Sequence, residues 1–312
     1  MTGEIQLVEP TVFSETKKSK NTPVAFDSAQ GAMPFVEAPN YHESYIAEKD
    51  EKFKKYSDEL NKNGFCIVNL NVDKNLINQA NEDIDAALRE NCIKLNSRAY
   101  HYNENPRIVE AWRFSKSIKE LAVNKTILDI LRFSYKSEPI PFSTINFVKG
   151  TEQPLHSDEL HFGSIPHRYL TGCWIALEDI RPDSGPLSIA VGSHKLPIFS
   201  FEQIGLNIPR TEEDFKKNYS AYEEWVKETI SDNNLEVVTP KLRKGQCIIW
   251  LSNTLHGAYA IKNQRLTRKS LVVHYHYSAC TKLFYPSYSN LTTGKLVPRP
   301  SKNIDIRTHT PE

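Results

Sequence analysis

Residues 154–162 read PLHSDELHF, and the reading of this stretch organises everything around it. His156, Asp158, Glu159 and His161 lie close together, and all four side-chain types bind metals. Residues i and i+2 of an extended strand share a face. His156 and Asp158 therefore converge in such a strand, while Ser157 and Glu159 turn away. The pair is weak on its own. With 10 His and 38 acids in 312 residues, a His-x-acid triplet arises by chance, and short motifs carry that risk. The bland alternative is a strand-end histidine beside a solvated acid.

Support comes from further along the chain. GQCIIWLSNTLHGA (245–258) places a short apolar strand before Asn253, with His256 and Gly257 in the turn that follows. A histidine at such a strand end reaches into a barrel mouth, and the glycine permits close backbone packing. A His-x-Asp pair with one remote histidine is the facial triad that leaves coordination positions open on non-haem Fe(II). Arg268 then opens RKSLVVHYHY (268–277), and Arg268 and Ser270 share a face by the same alternation. Together they offer a guanidinium fork and a hydroxyl for a dicarboxylate.

The wider pattern sets these residues in a fold. Phe53, Tyr56 and Leu60 mark one face of a helix that Gly64 stops, and FCIVNL (65–70) has strand length. Asp73 caps a second helix that buries Leu76, Ile77, Ala80, Ile84, Ala87 and Leu88. A third is expected over 115–134 through Ile118, Leu121, Ile127 and Leu131. From about residue 140 the texture becomes strand-like in PFSTINFV, GCWIALEDI, GPLSIAV, LEVVTP, GQCIIWL and RKSLVVHYHY. One helical insertion, about 200–234, interrupts them: Thr211 and Asp214 suggest a capping box, and Phe215, Tyr219, Tyr222 and Val226 share a face. Helices followed by many strands without βα alternation predict a mainly β fold with flanking helices, built on an antiparallel double-sheet barrel. Residues 1–42 read as an extended arm, and 43–312 as one domain with its strand core over about 140–278.

Composition narrows the function classes. Lys and Arg total 39 against 38 acids, which predicts neither a nucleic-acid nor a membrane partner. No apolar run approaches the roughly 20 residues of a bilayer span, and MTGEIQLVEP lacks a secretory pattern. The cysteines, 66, 92, 173, 247 and 280, form no CxxC and suit a reducing cytoplasm. Oligomeric state has no signature here.

Five stretches in order, PLHSD (154–158), WIALEDI (174–180), DSGPLSIAVGSHK (183–195), LHGA (255–258) and RKSLVVHY (268–275), resemble the phytanoyl-CoA dioxygenase family of Fe(II)- and 2-oxoglutarate-dependent oxygenases, which includes ectoine hydroxylase. The resemblance implies a double-stranded β-helix (jelly-roll, cupin-like) core. It makes His156, Asp158 and His256 the iron ligands and Arg268 the partner of the 2-oxoglutarate C5 carboxylate. Trp174, Asn146 and Thr144 come next as cosubstrate neighbours, with Ser270 offering a hydroxyl where Ala258 replaces the family's frequent serine. His161, Phe162, Val272 and His274 are candidates for the substrate pocket, each with a core or rim role as the alternative. His194 of the GSHK turn reads as structural. The implied reaction uses O2 and hydroxylates a small molecule with release of succinate and CO2. Related halogenases have Gly or Ala in place of Asp158, so Asp158 favours hydroxylation. The competing readings are a non-catalytic cupin-like binding protein and a zinc hydrolase built on HSDELH.

Overall fold

Helix α1 (Glu51–Asn63) forms where apolar side chains recur at helical spacing, and buries Leu60 completely. The computed structural model describes residues 33–39, 41, 51–90, 105 and 107–304. Gly64 ends α1 with φ +86°, and a Cβ there would lie 2.6 Å from His194 Nδ1, so glycine is required twice over. Strand β1 (Phe65–Asn69) and helix α2 (Lys74–Arg89) follow, with Asp73 accepting from Asn75 N at 2.9 Å as the cap.

The helix expected over 115–134 is two helices, α3 (Lys116–Ala122) and α4 (Lys125–Tyr135). Asn124 divides them. Its side chain accepts from Thr126 N at 3.0 Å, starting a new helix in place of continuing the old one.

The strands are β2 (Arg107–Val109), β3 (Pro139–Phe147), β4 (Gly163–Ile165), β5 (Leu170–Ala176), β6 (Leu187–Ala190), β7 (Val237–Val238), β8 (Gln246–Leu251), β9 (His256–Ala258), β10 (Ser270–Tyr277) and β11 (Lys282–Phe284). They make a six-stranded sheet, β1-β8-β5-β10-β3-β2, a three-stranded sheet, β7-β6-β9, and a β11-β4 pair, with neighbouring strands antiparallel. LEVVTP yields only Val237–Val238, and β2, β4, β9 and β11 are too short to announce themselves by alternation.

Alternation in the large sheet sorts its residues into two cores. Cys173, Ile175, Cys247, Ile249, Leu271, Val273 and Tyr275 pack on the helices through Leu60, Ile77, Ile118 and Ile127. Trp174, Ala176, Ile248, Trp250 and Val272 face Leu187 and Ile189 of the small sheet. Each buried aliphatic side chain contributes about 1.5–3 kcal/mol relative to exposure.

Helix α5 (Glu212–Asp232) starts with the expected capping box, Asp214 N to Thr211 Oγ1 at 3.0 Å and Thr211 N to Asp214 Oδ2 at 3.1 Å. Its Phe215, Tyr219, Tyr222 and Val226 pack with Leu160, Phe199 and Leu255. Of the arm expected over 1–42, residues 1–32, 40 and 42 lie outside the described set. In the described part Val36 and Tyr41 are buried, and Glu37 meets Arg168 at 2.7 Å with both side chains 4% exposed. Among the described residues, no helix is long and apolar enough to cross a membrane.

Candidate metal centre

Two histidines far apart in sequence meet through their backbones. His156 N donates to His256 O and His256 N to His156 O, both at 2.9 Å. A doubly bonded antiparallel pair sets its side chains next to each other, and the two ring centroids are 4.5 Å apart. Gly257 allows the approach: a Cβ there would stand 2.7 Å from Gln153 O and 2.8 Å from Leu155 N.

Asp158 follows within two residues. Ser157 is still extended, with φ −97° and ψ 138°, so His156 and Asp158 keep the i, i+2 relation, and a 3-10 turn, Asp158–Leu160, begins there, capped by Ser157, whose hydroxyl accepts from Glu159 N at 3.1 Å. Ligand atoms of His156, Asp158 and His256 all lie within 4.8 Å of one another, and all three residues are buried. Two imidazoles and one carboxylate form a donor set able to hold iron with positions left open.

Supporting bonds prepare this set. His156 Nδ1 lies 2.9 Å from Pro154 O, and His256 Nδ1 2.9 Å from Thr254 O. A proton held on each Nδ1 leaves each Nε2 bare as a ligand. Burial lowers the pKa of both rings, and for His156 the neighbouring His256 and His161 lower it further. Both are neutral near pH 7, the form that binds metal. Burial alone would raise the Asp158 carboxyl, but His256, His274 and His156 outweigh it and hold Asp158 well below the usual carboxylate range. Trp250 Nε1 donates to Asp158 Oδ2 at 2.8 Å. The indole fits because residue 172 is glycine; a Cβ there would fall 2.3 Å from its ring.

The triad opens on a cavity of about 470 Å³, walled also by Trp174, Arg268, Val272, His274, His161 and Phe162. Arg268 is 1% exposed, and its Nη1 donates to Gly185 O at 3.1 Å. Its guanidinium carbon lies 5.5 Å from the Trp174 ring and 5.8 Å from Phe147. Burial, helped by Arg107, lowers its pKa to about 10, which leaves it charged at neutral pH. Arg268 Nε and Trp174 Nε1 are buried donors without a hydrogen-bond partner among the described residues. Two such donors in the wall of one cavity suit an acceptor-rich ligand.

Three expected residues lie elsewhere. Asn146 pairs with Leu271 and Thr144 with Val273, so both face the helices, whereas Ser143, Ile145 and Phe147 wall the cavity. Ser270 is buried outside the cavity wall, with its hydroxyl 3.4 Å from Arg268 O. Regular strand begins at Ser270; Arg268 precedes it, tied by its N–H to Val148 O at 2.8 Å. Glu159 does turn from the triad, yet it is buried and not solvated. Ser252 Oγ donates to it at 2.5 Å, and burial raises its pKa to about 7.

Sequence reasoning passed over Trp250, Gly172, Gln153, Arg107 and Arg299. Trp250 was readable, since alternation in GQCIIWL sets it with Ile248 on the cavity side. Gln153 was not: its Nε2 lies 3.2 Å from His156 Nε2 and donates to Tyr219 OH of α5 at 3.4 Å. Tyr219 also stacks on His161, with centroids 5.8 Å apart.

The model of the family Phytanoyl-CoA dioxygenase (PhyH) matches residues 60–270. No curated protein matches the sequence. Among solved structures, EctD from S. alaskensis in its apoform aligns with a TM-score of 0.61 at 16% identity, covering 82% of this chain and 85% of EctD. The non-heme alpha ketoglutarate dependent carbocyclase SnoK from nogalamycin biosynthesis aligns at 0.56 and 17% identity, over 80% and 93% of the two chains. The epimerase SnoN, in complex with Fe3+, alpha ketoglutarate and nogalamycin RO, aligns at 0.55 and 15% identity, over 81% and 99%. At such identities the likeness is one of fold.

Proposed function

The chain belongs to the phytanoyl-CoA dioxygenase family, and from that premise we propose that it is an Fe(II)- and 2-oxoglutarate-dependent dioxygenase that hydroxylates a C–H bond of a small-molecule metabolite. One observation carries the reading: a buried His-Asp-His triad shares a single cavity with a buried, charged arginine. A metal-binding protein without a cosubstrate has no need of Arg268.

His156, Asp158 and His256 would hold the iron. Arg268 would take the distal carboxylate of 2-oxoglutarate, with Trp174 Nε1 as a further donor. When bound, iron and 2-oxoglutarate supply an oxidation that consumes O2, yields succinate and CO2 and hydroxylates the substrate. The residues of the chain orient and enclose these partners. Trp250 fixes the Asp158 carboxylate, Pro154 O and Thr254 O fix the two imidazoles, and Phe147, Trp174 and Val272 make the wall apolar. His161, Phe162, Val272 and His274 are the residues proposed to meet the substrate. An intact carboxylate at position 158 favours hydroxylation over halogen transfer.

The same reading takes the six- and three-stranded sheets as the two walls of a double-stranded β-helix over about 140–278, in one domain of 43–312. The buried, unpaired thiols of Cys66, Cys173 and Cys247 favour a cytoplasmic setting.

Succinate release in the presence of Fe(II), 2-oxoglutarate and O2 tests the proposal without knowledge of the substrate. The wild-type chain should turn over 2-oxoglutarate slowly, and His156→Ala and Asp158→Ala should lower that rate at least about 100-fold. Full activity in either variant would overturn the ligand assignment. Binding of both partners without any succinate would favour a non-catalytic protein.

A further inference from the structure

One residue of the cavity wall faces the metal position without being a ligand. Gln153 is buried in the wall that His156, Asp158 and His256 share. Its backbone is tied to the opposite histidine segment, where Ala258 N donates to Gln153 O at 2.8 Å. Its side-chain amide meets three groups: His156 Nε2 at 3.2 Å, Tyr219 OH at 3.4 Å and Arg107 Nη2 at 3.1 Å.

These partners decide which end of the amide faces which. A guanidinium only donates, so the atom beside Arg107 is Oε1, and the atom beside His156 is the nitrogen. The carbonyl of Pro154 only accepts, so His156 carries its proton on Nδ1 and turns a bare Nε2 toward that amide. One hydrogen of the amide nitrogen serves Tyr219 OH. The other is directed at the lone pair by which His156 would hold iron. The amide nitrogen itself does not ligate, since its own pair is drawn into the carbonyl.

Resting on the oxygenase reading, we propose that Gln153 binds the chelating end of 2-oxoglutarate, its Nε2–H donating to a carboxylate or keto oxygen beside the iron. With the His156 lone pair given to the metal, this buried N–H needs another acceptor. The cosubstrate carboxylate is the strongest one at hand, because a charge-assisted bond is about twice as strong as a neutral one. Arg107 polarises the amide through Oε1 and makes its N–H a better donor. The dicarboxylate is then held at both ends, by Arg268 at one and Gln153 at the other. Tyr219 brings the helical insertion into the site, since α5 supplies the hydroxyl that orients the amide.

Anaerobic titrations of the full chain test this, with Fe(II) alone and then with 2-oxoglutarate on the iron-loaded protein, read by the charge-transfer band. In Gln153→Leu, Fe(II) affinity should stay within about threefold of wild type, while 2-oxoglutarate binds about tenfold more weakly and the band maximum moves. Gln153→Glu replaces the donor by a carboxylate and should weaken 2-oxoglutarate more than Gln153→Leu does. A role in packing alone would neither separate the two affinities nor move the band. Wild-type 2-oxoglutarate affinity with an unmoved band in Gln153→Leu, or an equal loss of Fe(II) and 2-oxoglutarate binding in both variants, would overturn the inference. If melting shows that Gln153→Leu does not fold, Gln153→Glu decides alone, and undiminished 2-oxoglutarate binding there overturns it. A wild-type chain with no charge-transfer band would instead remove the oxygenase reading beneath it.

Discussion

Along β10, Leu271, Val273 and Tyr275 turn toward the helices, while Val272 and His274 turn toward the cavity. One strand thus serves two layers with different demands. The helix-facing layer is mostly aliphatic, Cys and Tyr side chains, and its work is to exclude water. The cavity-facing layer mixes aromatic walls with His274, Trp174 and the neighbouring Arg268, and keeps buried donors that have no hydrogen-bond partner among the described residues. A substitution should therefore act on stability or on chemistry according to the parity of its position.

The largest effect should come from the triad. His256→Ala should weaken iron binding at least about 100-fold, with stability changed by no more than about 2 kcal/mol. Iron titration and thermal melting of the same sample measure both. On the opposite face, Leu271→Ala should cost about 2–5 kcal/mol of stability and leave iron affinity within about twofold. A stable Leu271→Ala protein with damaged iron binding would break the division between faces.

Trp250→Phe sharpens it at a finer scale. The indole donates to Asp158 and contributes its ring to the cavity wall, so the variant should lose about 10-fold in iron affinity, toward the lower end for an outer-shell partner. The smallest effect belongs to Asn146. Both its side-chain polar atoms are buried without a hydrogen-bond partner among the described residues, on the helix-facing side. Asn146→Leu should leave 2-oxoglutarate affinity within about twofold and stability unchanged or raised by about 1 kcal/mol. A tenfold loss of 2-oxoglutarate binding would return Asn146 to the cosubstrate.

These pairs also explain what the sequence could say. Helix α1, β1, the Asp73 cap and the Thr211 capping box rest on local spacing and side-chain chemistry, and each was legible. The break at Asn124 was not, because apolar residues keep helical spacing across it while the Asn side chain starts a new helix. His156, Asp158 and His256 were legible as residue types in order. Ser157 between the first two is still extended, and the turn that opens at Asp158, capped by the Ser157 hydroxyl, was not legible. Asn146 and Thr144 came from the family resemblance and not from alternation; the register of β3 on β10 pairs them with Leu271 and Val273, on the helix-facing side. Arg107 and Arg299 bear no motif, and only the folded chain brings them to the cavity.

Anaerobic addition of Fe(II) and then 2-oxoglutarate, followed by visible absorption, tests the central claim most directly. A metal-to-ligand charge-transfer band should appear with the wild-type chain, vanish in His156→Ala, and require much higher 2-oxoglutarate in Arg268→Gln. A wild-type chain that binds Fe(II) yet gives no band at saturating 2-oxoglutarate would contradict the account.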